Sequence, residues 1–276
     1  MADSAPRVLF VAGASSGIGR DVAERFAGMG YHVYGGSRRV AESGELHDAQ
    51  NGGFAKFMRL DVRDQASVDA AVSCVMQAES RIDGVVMCAG YALAGAVEDT
   101  TPEEAWAQFD TNFLGALRLF RAVLPKMREQ KSGTIVVIGS VAGFVPLPFQ
   151  AMYSASKYAL AAMTESLRME VEPFGIRVCL VEPGDINTGF TSSRMWVSRP
   201  LAQSAYAKRC KRAVESMQKS EMHGLGPKCV TDVVVRLMRQ KRPPVRVVVG
   251  VQYKAVAVLK RLLPDGVVHA ILKKLY

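Results

Sequence analysis

Little in this sequence suits a metal. Its five cysteines (Cys74, Cys88, Cys179, Cys210, Cys229) are odd in number and widely spaced. No pair has the close spacing of a zinc site or a redox dithiol, and the four histidines are equally scattered. Cys88 and Cys179 lie in apolar runs, where a thiol acts as a small hydrophobe. This usage fits a reducing compartment, and the N-terminal stretch has no basic segment leading into an apolar run of signal length. A cytoplasmic protein is expected. No apolar run approaches the roughly 20 residues that a spanning helix needs. Pro/Gly/Ser-rich linkers and internal repeats are missing as well. We therefore expect one domain over residues 1–276.

Acidic residues are scarce toward the C-terminus. Residues 1–189 hold 17 Lys+Arg and 22 Asp+Glu, and residues 190–276 hold 18 and 4, so the net charge of +9 comes from the last third. Such a region attracts an anionic cofactor, an acidic partner or anionic lipid. No groove-reading motif or interleaved aromatic stripe accompanies it, so nucleic acid is not expected and a solvated basic face ranks first.

What the chain does have is alternation. Short β-branched runs recur at residues 7–11, 31–34, 57–60, 84–87, 134–138, 178–181 and 245–249. Most are continuously apolar, as strands covered on both faces must be. Between them lie helical patterns: Val22, Phe26 and Met29 in the first gap, then 67–78, 105–128 and 153–172. Strand and helix in strict alternation predict an α/β, doubly wound Rossmann fold, with a parallel sheet of about seven strands and helices on both faces.

The first chemical signal follows the first strand. Gly13-Ala14-Ser15-Ser16-Gly17-Ile18-Gly19 opens the first helix. Glycines there allow a tight turn and close backbone approach to a pyrophosphate, which the helix N-terminus attracts. At the end of the second strand, an NAD site places a carboxylate against the ribose 2′-hydroxyl. This chain reads Ser37-Arg38-Arg39. A guanidinium binds a 2′-phosphate where a carboxylate would repel it, so NADP(H) is the expected cofactor. Asp61-Val62 closes the third strand, placed either to touch the adenine or to cap the next helix.

The second signal is Ser140 with Tyr153 and Lys157. Ser140 ends a strand, and Tyr153 and Lys157, four apart entering a long helix, share a face. A phenol with an ordinary pKa near 10 is a poor proton donor and acceptor at neutrality, and a neighbouring ammonium lowers that value. The three form a candidate general acid/base site, with the serine holding a carbonyl or alcohol oxygen.

Together these motifs resemble the short-chain dehydrogenase/reductase family. The resemblance runs from about Arg7 to Val249 and rests on Gly13, Gly17 and Gly19, Asp61-Val62, Ala89-Gly90, Asn112, Ser140, Tyr153 with Lys157, and Pro183-Gly184-Asp185-Ile186-Asn187-Thr188. It implies a seven-stranded parallel sheet and hydride transfer at a nicotinamide. By position, Tyr153 is the implied acid/base, and Lys157 binds the nicotinamide ribose and lowers the tyrosine pKa. Ser140 orients the substrate oxygen, Asn112 holds a water in a proton relay, and Ile186 and Thr188 meet the carboxamide. One departure stands out. Cys88 precedes Ala89-Gly90 where the family has Asn, a poorer hydrogen-bonding choice that implies a local stability cost.

Within the family, the runs around Tyr31, Met152–Leu160 and Pro173–Val178 look most like the hydroxysteroid and retinol dehydrogenase branch, which implies a lipophilic alcohol or ketone. Val145, Leu147 and Phe149 after Ser140, and Phe190, Met195 and Trp196 after Pro183-Gly184, are the pocket candidates, and few charges accompany them. Residues 189–225 are the expected lid. Residues 251–276 form an extension with no catalytic role in the family, whose basic amphipathic pattern, broken at Pro264-Asp265-Gly266, is expected to pack on the body. Lying on an anionic membrane is the alternative. The competing functions are a carrier- or CoA-linked 3-ketoacyl reductase and a non-catalytic NADP(H) sensor. The family implies a homodimer or homotetramer.

Overall fold

The structure, a computed structural model, describes residues 5–40, 45–49 and 51–275. Tyr276, the end of the expected extension, lies outside them. The first apolar run forms β1 (Val8–Ala12), and every one of its residues is buried. Val8, Phe10 and Ala12 face one side of the sheet, and Leu9 and Val11 the other. Helices cover both sides, which is why the run is continuous rather than alternating.

The chain continues through α1 (Gly17–Ala27), β2 (His32–Ser37), β3 (Glu45–Asp48), β4 (Phe54–Arg59), α2 (Gln65–Glu79), β5 (Gly84–Met87) and β6 (Leu93–Ala94). Then come α3 (Pro102–Phe109), α4 (Gly115–Glu129), β7 (Gly133–Ile138), α5 (Ala151–Val171), β8 (Ile176–Pro183) and β9 (Met195–Trp196). It ends with α6 (Ala207–Met222), α7 (Lys228–Arg239), β10 (Arg246–Val249), α8 (Val251–Leu262) and α9 (Asp265–Leu275). The main sheet runs β10-β8-β7-β5-β1-β2-β4-β3. Seven of these strands are parallel, and they are the seven that the sequence predicts. The eighth, β3, is antiparallel and covers the edge of β4. Its Glu-Leu-His-Asp sequence carries no strand pattern, so nothing announced it.

One core layer packs residues of α2, α4 and α5 on the sheet (Val68, Leu119, Leu160), and the other packs α1 and α7 (Val22, Phe26, Val230, Val234). The strand order reverses between β1 and β5, and a crevice opens there at the carboxyl ends of the strands. The predicted helix over 105–128 is interrupted. α3, capped by Thr101 and Glu104, gives way to a π-helical turn over Asp110–Leu114 before α4 begins. That turn carries Asn112, and such turns favour functional sites.

Beyond the sheet, β9 pairs with β6, and α6 packs Cys210 and Val214 against Ala94. The C-terminal helices do only part of what the sequence suggests. Tyr253, Val256 and Leu272 line the crevice and Val268 is buried, whereas Val251, Val258, Leu259, Leu262, Val267 and Ile271 are exposed. The residues facing the body and those facing solvent are both apolar, so packing satisfies only one of two stripes.

Candidate active site

A cleft of about 370 Å³ runs along the strand ends. Its floor at one end is the glycine loop. Gly13 has φ +89°, and a Cβ there would lie 2.6 Å from the Ala89 nitrogen. Gly17 has φ +57° and packs against Thr188. Only glycine fits both demands at Gly13. Helix α1 starts at Gly17 with no side-chain cap from Ser16 and no acidic residue in its first turn. Ser15, Ser16, Ile18 and Gly19 line the cleft with these glycines, so the free N–H groups and positive end of the helix dipole serve it. A dinucleotide pyrophosphate fits this cradle. Ser37, Arg38 and Arg39 line the same end, both arginines exposed, and the Arg39 amide donates to Ser37 Oγ at 3.3 Å.

Val62 lines the cleft, but Asp61 does not. Arg63 holds the Asp61 carboxylate through Nη2 at 2.8 Å and lowers its pKa, with Arg38 adding a weaker pull. Asp61 does not cap the next helix either; Asp64 does, accepting from the Ala66 amide. The Asp61 carboxylate is thus held in an ion pair rather than spent on capping the next helix. Ala89, Gly90, Pro183, Gly184, Ile186 and Thr188 line the cleft as expected, joined by Cys88. Burial pushes the Cys88 thiol up to about 12.

The catalytic candidates converge at mid-cleft. Ser140 ends β7, and its Oγ accepts from the Ala142 amide at 3.1 Å. Tyr153 is buried against Phe190, with ring centroids 5.7 Å apart. Burial pushes its hydroxyl up to about 12, and a hydrogen bond from Ser140 pulls the other way. Here the geometry departs from expectation. Lys157 is not among the groups lowering Tyr153. Its Nζ lies 5.9 Å from the tyrosine ring centroid and donates to the Ile138 carbonyl at 2.9 Å, and burial brings its own pKa down to about 8.

Asn112 is fully buried. Its Nδ2 donates to the Tyr91 carbonyl at 3.0 Å and to Ser156 Oγ at 3.1 Å, while Oδ1 accepts from the Tyr91 amide. Both amide hydrogens are spent on tying the β5 loop to α5, which leaves one lone pair on Oδ1. Asn112 Oδ1 and Lys157 Nζ border the same point. A Cβ built on Gly90 would lie 3.1 Å from the first and 3.8 Å from the second.

Half of the predicted pocket residues line the cleft: Val145, Leu147 and Phe190. Phe149, Met195 and Trp196 do not. Phe149, at φ +60°, packs toward Ala94, Cys210 and Val214, and β9 turns Met195 and Trp196 to solvent. Sequence reasoning missed Gln150, Asp185, Ser193, Met217, Glu221, Tyr253, Val256 and Leu272, all of which line the cleft. Met217 and Glu221 had one usable signal, their i,i+4 spacing on a helix, but α6 otherwise reads as a basic surface helix.

Among the described residues no cluster could hold a metal ion, and no helix is long and apolar enough to cross a membrane. The family model for short chain dehydrogenase matches residues 7–196. The chain is 36% identical to 3-ketodihydrosphingosine reductase of Bacteroides thetaiotaomicron over 98% of each chain. It is 32% identical to bovine retinol dehydrogenase 8, covering 96% of this chain and 88% of the relative. A solved short-chain dehydrogenase from Streptomyces avermitilis superposes with a TM-score of 0.79 at 31% identity, covering 98% of this chain and 96% of that one. With the glycine cradle, the Ser140–Tyr153 pair and the sheet order all in place, the chain belongs to the short-chain dehydrogenase/reductase family of oxidoreductases.

Proposed function

We propose that the protein is an NADP(H)-dependent oxidoreductase that interconverts a ketone and a secondary alcohol on a long-chain, lipophilic substrate. The observation that carries this reading is the placement of Ser140 and Tyr153. They meet at the foot of a cleft whose one end is the glycine cradle with Arg38 and Arg39, and whose other end is walled by Val145, Leu147, Phe190, Met217, Val256 and Leu272. When bound, the nicotinamide cofactor supplies the hydride.

The chain's own residues handle the oxygen and the proton. Ser140 and Tyr153 together hold the substrate oxygen. Burial keeps Tyr153 protonated at neutral pH, so in reduction its hydroxyl gives the proton that the developing alkoxide needs. Asn112 positions the β5 loop against the helix bearing Tyr153 and Lys157, and Lys157 puts a cation between that loop and the strand end. Arg38 and Arg39 provide charge for a 2′-phosphate.

The likeness to 3-ketodihydrosphingosine reductase over nearly the whole of both chains supports a long-chain lipid ketone ahead of a steroid or retinoid. So does the exposed apolar stripe of α8 and α9 beside the cleft mouth, flanked by Lys254, Arg261 and Lys273, which suits delivery from a lipid surface. The test is NADPH oxidation at 340 nm with long-chain 3-ketones, steroid ketones, retinal and 3-ketoacyl thioesters, and NADH in parallel. Long-chain ketone turnover preferring NADPH is expected. Turnover of thioesters alone would move the protein to acyl-chain chemistry.

A further inference from the structure

One charged feature of the cleft has no part in the proposed reaction. Glu221 sits on α6 one turn after Met217, and both line the cleft. Thr191 Oγ1 donates to its Oε2 at 2.6 Å, and Arg194 Nη2 donates to its Oε1 at 2.5 Å. The Arg194 side chain is 1% exposed, and its Nε and Nη1 meet no partner. Burying a guanidinium is costly unless it is paired, and the partner of Arg194 is Glu221. The pair fixes the direction of the Glu221 carboxylate.

A carboxylate offers about four acceptor positions. Thr191 and Arg194 occupy one on each oxygen, and the remaining two belong to a side chain 14% exposed at the cleft wall. The second carboxylate lining the cleft, Asp185, accepts from Tyr253 and feels the charge of Arg194. Two acids and one guanidinium leave this corner net negative. Glu221 lines the same cleft as Ser140 and Tyr153, and its charge and that of Arg194 both act on Tyr153. The substrate end is otherwise walled mainly by Val145, Leu147, Phe190, Met217, Val256 and Leu272, with Gln150 and Ser193 as its uncharged polar residues. An anion would be repelled here, and an alkyl chain would leave acceptors unfilled beside it. A protonated amine answers both the charge and the free lone pairs.

We propose that Glu221, oriented by Arg194 and Thr191, is the specificity-determining acceptor for a protonated amine carried beside the ketone of an amphiphilic substrate. The proposal rests on the ketone reading only for the place of the carbonyl. Its test is equilibrium binding of two chain-matched probes, dodecylamine and dodecanol, to the full-length protein saturated with NADP+, below the concentrations at which they aggregate. The wild type is expected to prefer the amine at least about tenfold, as charge-assisted hydrogen bonds imply.

Glu221→Gln is expected to abolish that preference, and Thr191→Val, which leaves the ion pair in place, to reduce it. Equal binding of both probes by the wild type, or an unchanged preference in a folded Glu221→Gln protein, would overturn the proposal. If Glu221→Gln does not fold, the Thr191→Val ratio decides: an unchanged ratio overturns it. Failure of the ketone reading is a separate result, namely an amine preference in a protein that oxidises NADPH with no ketone of the panel.

Discussion

The phenol of Tyr253 donates a hydrogen bond to the carboxylate of Asp185, 68 positions earlier, and its ring lies over Gly184. The extension that has no catalytic role in the family thereby holds the Pro183–Thr188 loop at the cofactor end of β8. Burial raises the Asp185 pKa, and the Tyr253 bond offsets part of that. Tyr253→Phe removes the donor and leaves a half-buried acceptor, at a cost toward the lower end of about 1–3 kcal/mol. For a chain of this size the melting temperature should fall by several degrees (about 2–4 °C per kcal/mol). NADP+ affinity should fall with it, because the loop lines the cofactor end of the cleft. Calorimetry and NADP+ titration check both, and an unchanged melting temperature would show that the contact carries no stability.

Tyr153→Phe keeps the ring against Phe190 and removes only the hydroxyl. Carbonyl reduction should drop by about 10²- to 10⁴-fold, the range of a general acid. In the wild type, the raised pKa of Tyr153 keeps it protonated through neutral pH. Reduction should therefore change little between about pH 6 and 8, whereas alcohol oxidation, which needs the phenolate, should rise with pH. Ser140→Ala removes the hydrogen bond that favours the phenolate, so its oxidation profile should shift to higher pH. Steady-state profiles in both directions test this, and a Ser140→Ala profile shifted downward would contradict it.

These residues also show where a sequence can be read and where it cannot. The seven parallel strands were legible because burial on both faces forces continuous apolar runs, as in β1. The cofactor end was legible because a glycine loop and a strand end are local: Gly13 to Gly19 and Ser37 to Arg39 each do their work within a few residues. Tyr153 and Lys157 share one helical face, so their proximity followed from spacing. The Lys157 ammonium does not follow from spacing, since its bond to the Ile138 carbonyl depends on how α5 docks against β7.

The substrate end was half legible for a similar reason. Val145 and Leu147 follow Ser140 so closely that they must reach the cleft. Met195 and Trp196 were sent elsewhere by pairing with β6, a contact about a hundred residues distant in sequence. Glu221, Tyr253 and Leu272 come from elements joined to the site only by tertiary packing. Beyond the i,i+4 spacing of Met217 and Glu221, nothing near them in sequence marks them out.

Arg38 and Arg39 stand exposed at the end of β2 with no carboxylate of their own strand beside them. Each charge-assisted hydrogen bond to a 2′-phosphate contributes about 1.5–3 kcal/mol. Replacing both by alanine should therefore lower kcat/KM with NADPH by at least tenfold and leave NADH within about twofold. Arg38→Asp should go further and favour NADH, by repelling the phosphate and accepting from a ribose hydroxyl. Equal losses with both cofactors would show that the arginines support the loop rather than read the phosphate.

Glu182 gives the protein a pH-dependent cost that lies apart from the reaction. It sits on β8 between β7 and β10 and is 1% exposed. Its Oε1 has no hydrogen-bond partner, and the Arg246 guanidinium approaches only to 3.9 Å. Burial pushes its carboxyl from an ordinary 4.5 up to about 7, with Arg246 drawing it back in part. In the window between these values the folded protein holds a proton that the unfolded chain has released. The stabilising contribution is complete below about pH 4.5 and is lost as pH rises through about 7. A shift of this size corresponds to about 3 kcal/mol. Glu182→Gln removes the titration while keeping the shape of the side chain. Wild type and variant should be closest in stability near pH 4.5, and the variant should gain steadily up to about pH 8. Urea unfolding across this range measures the difference directly. Parallel stability curves would falsify the assignment of this cost to Glu182 and place the buried charge with Arg246 and its partner Glu165 instead.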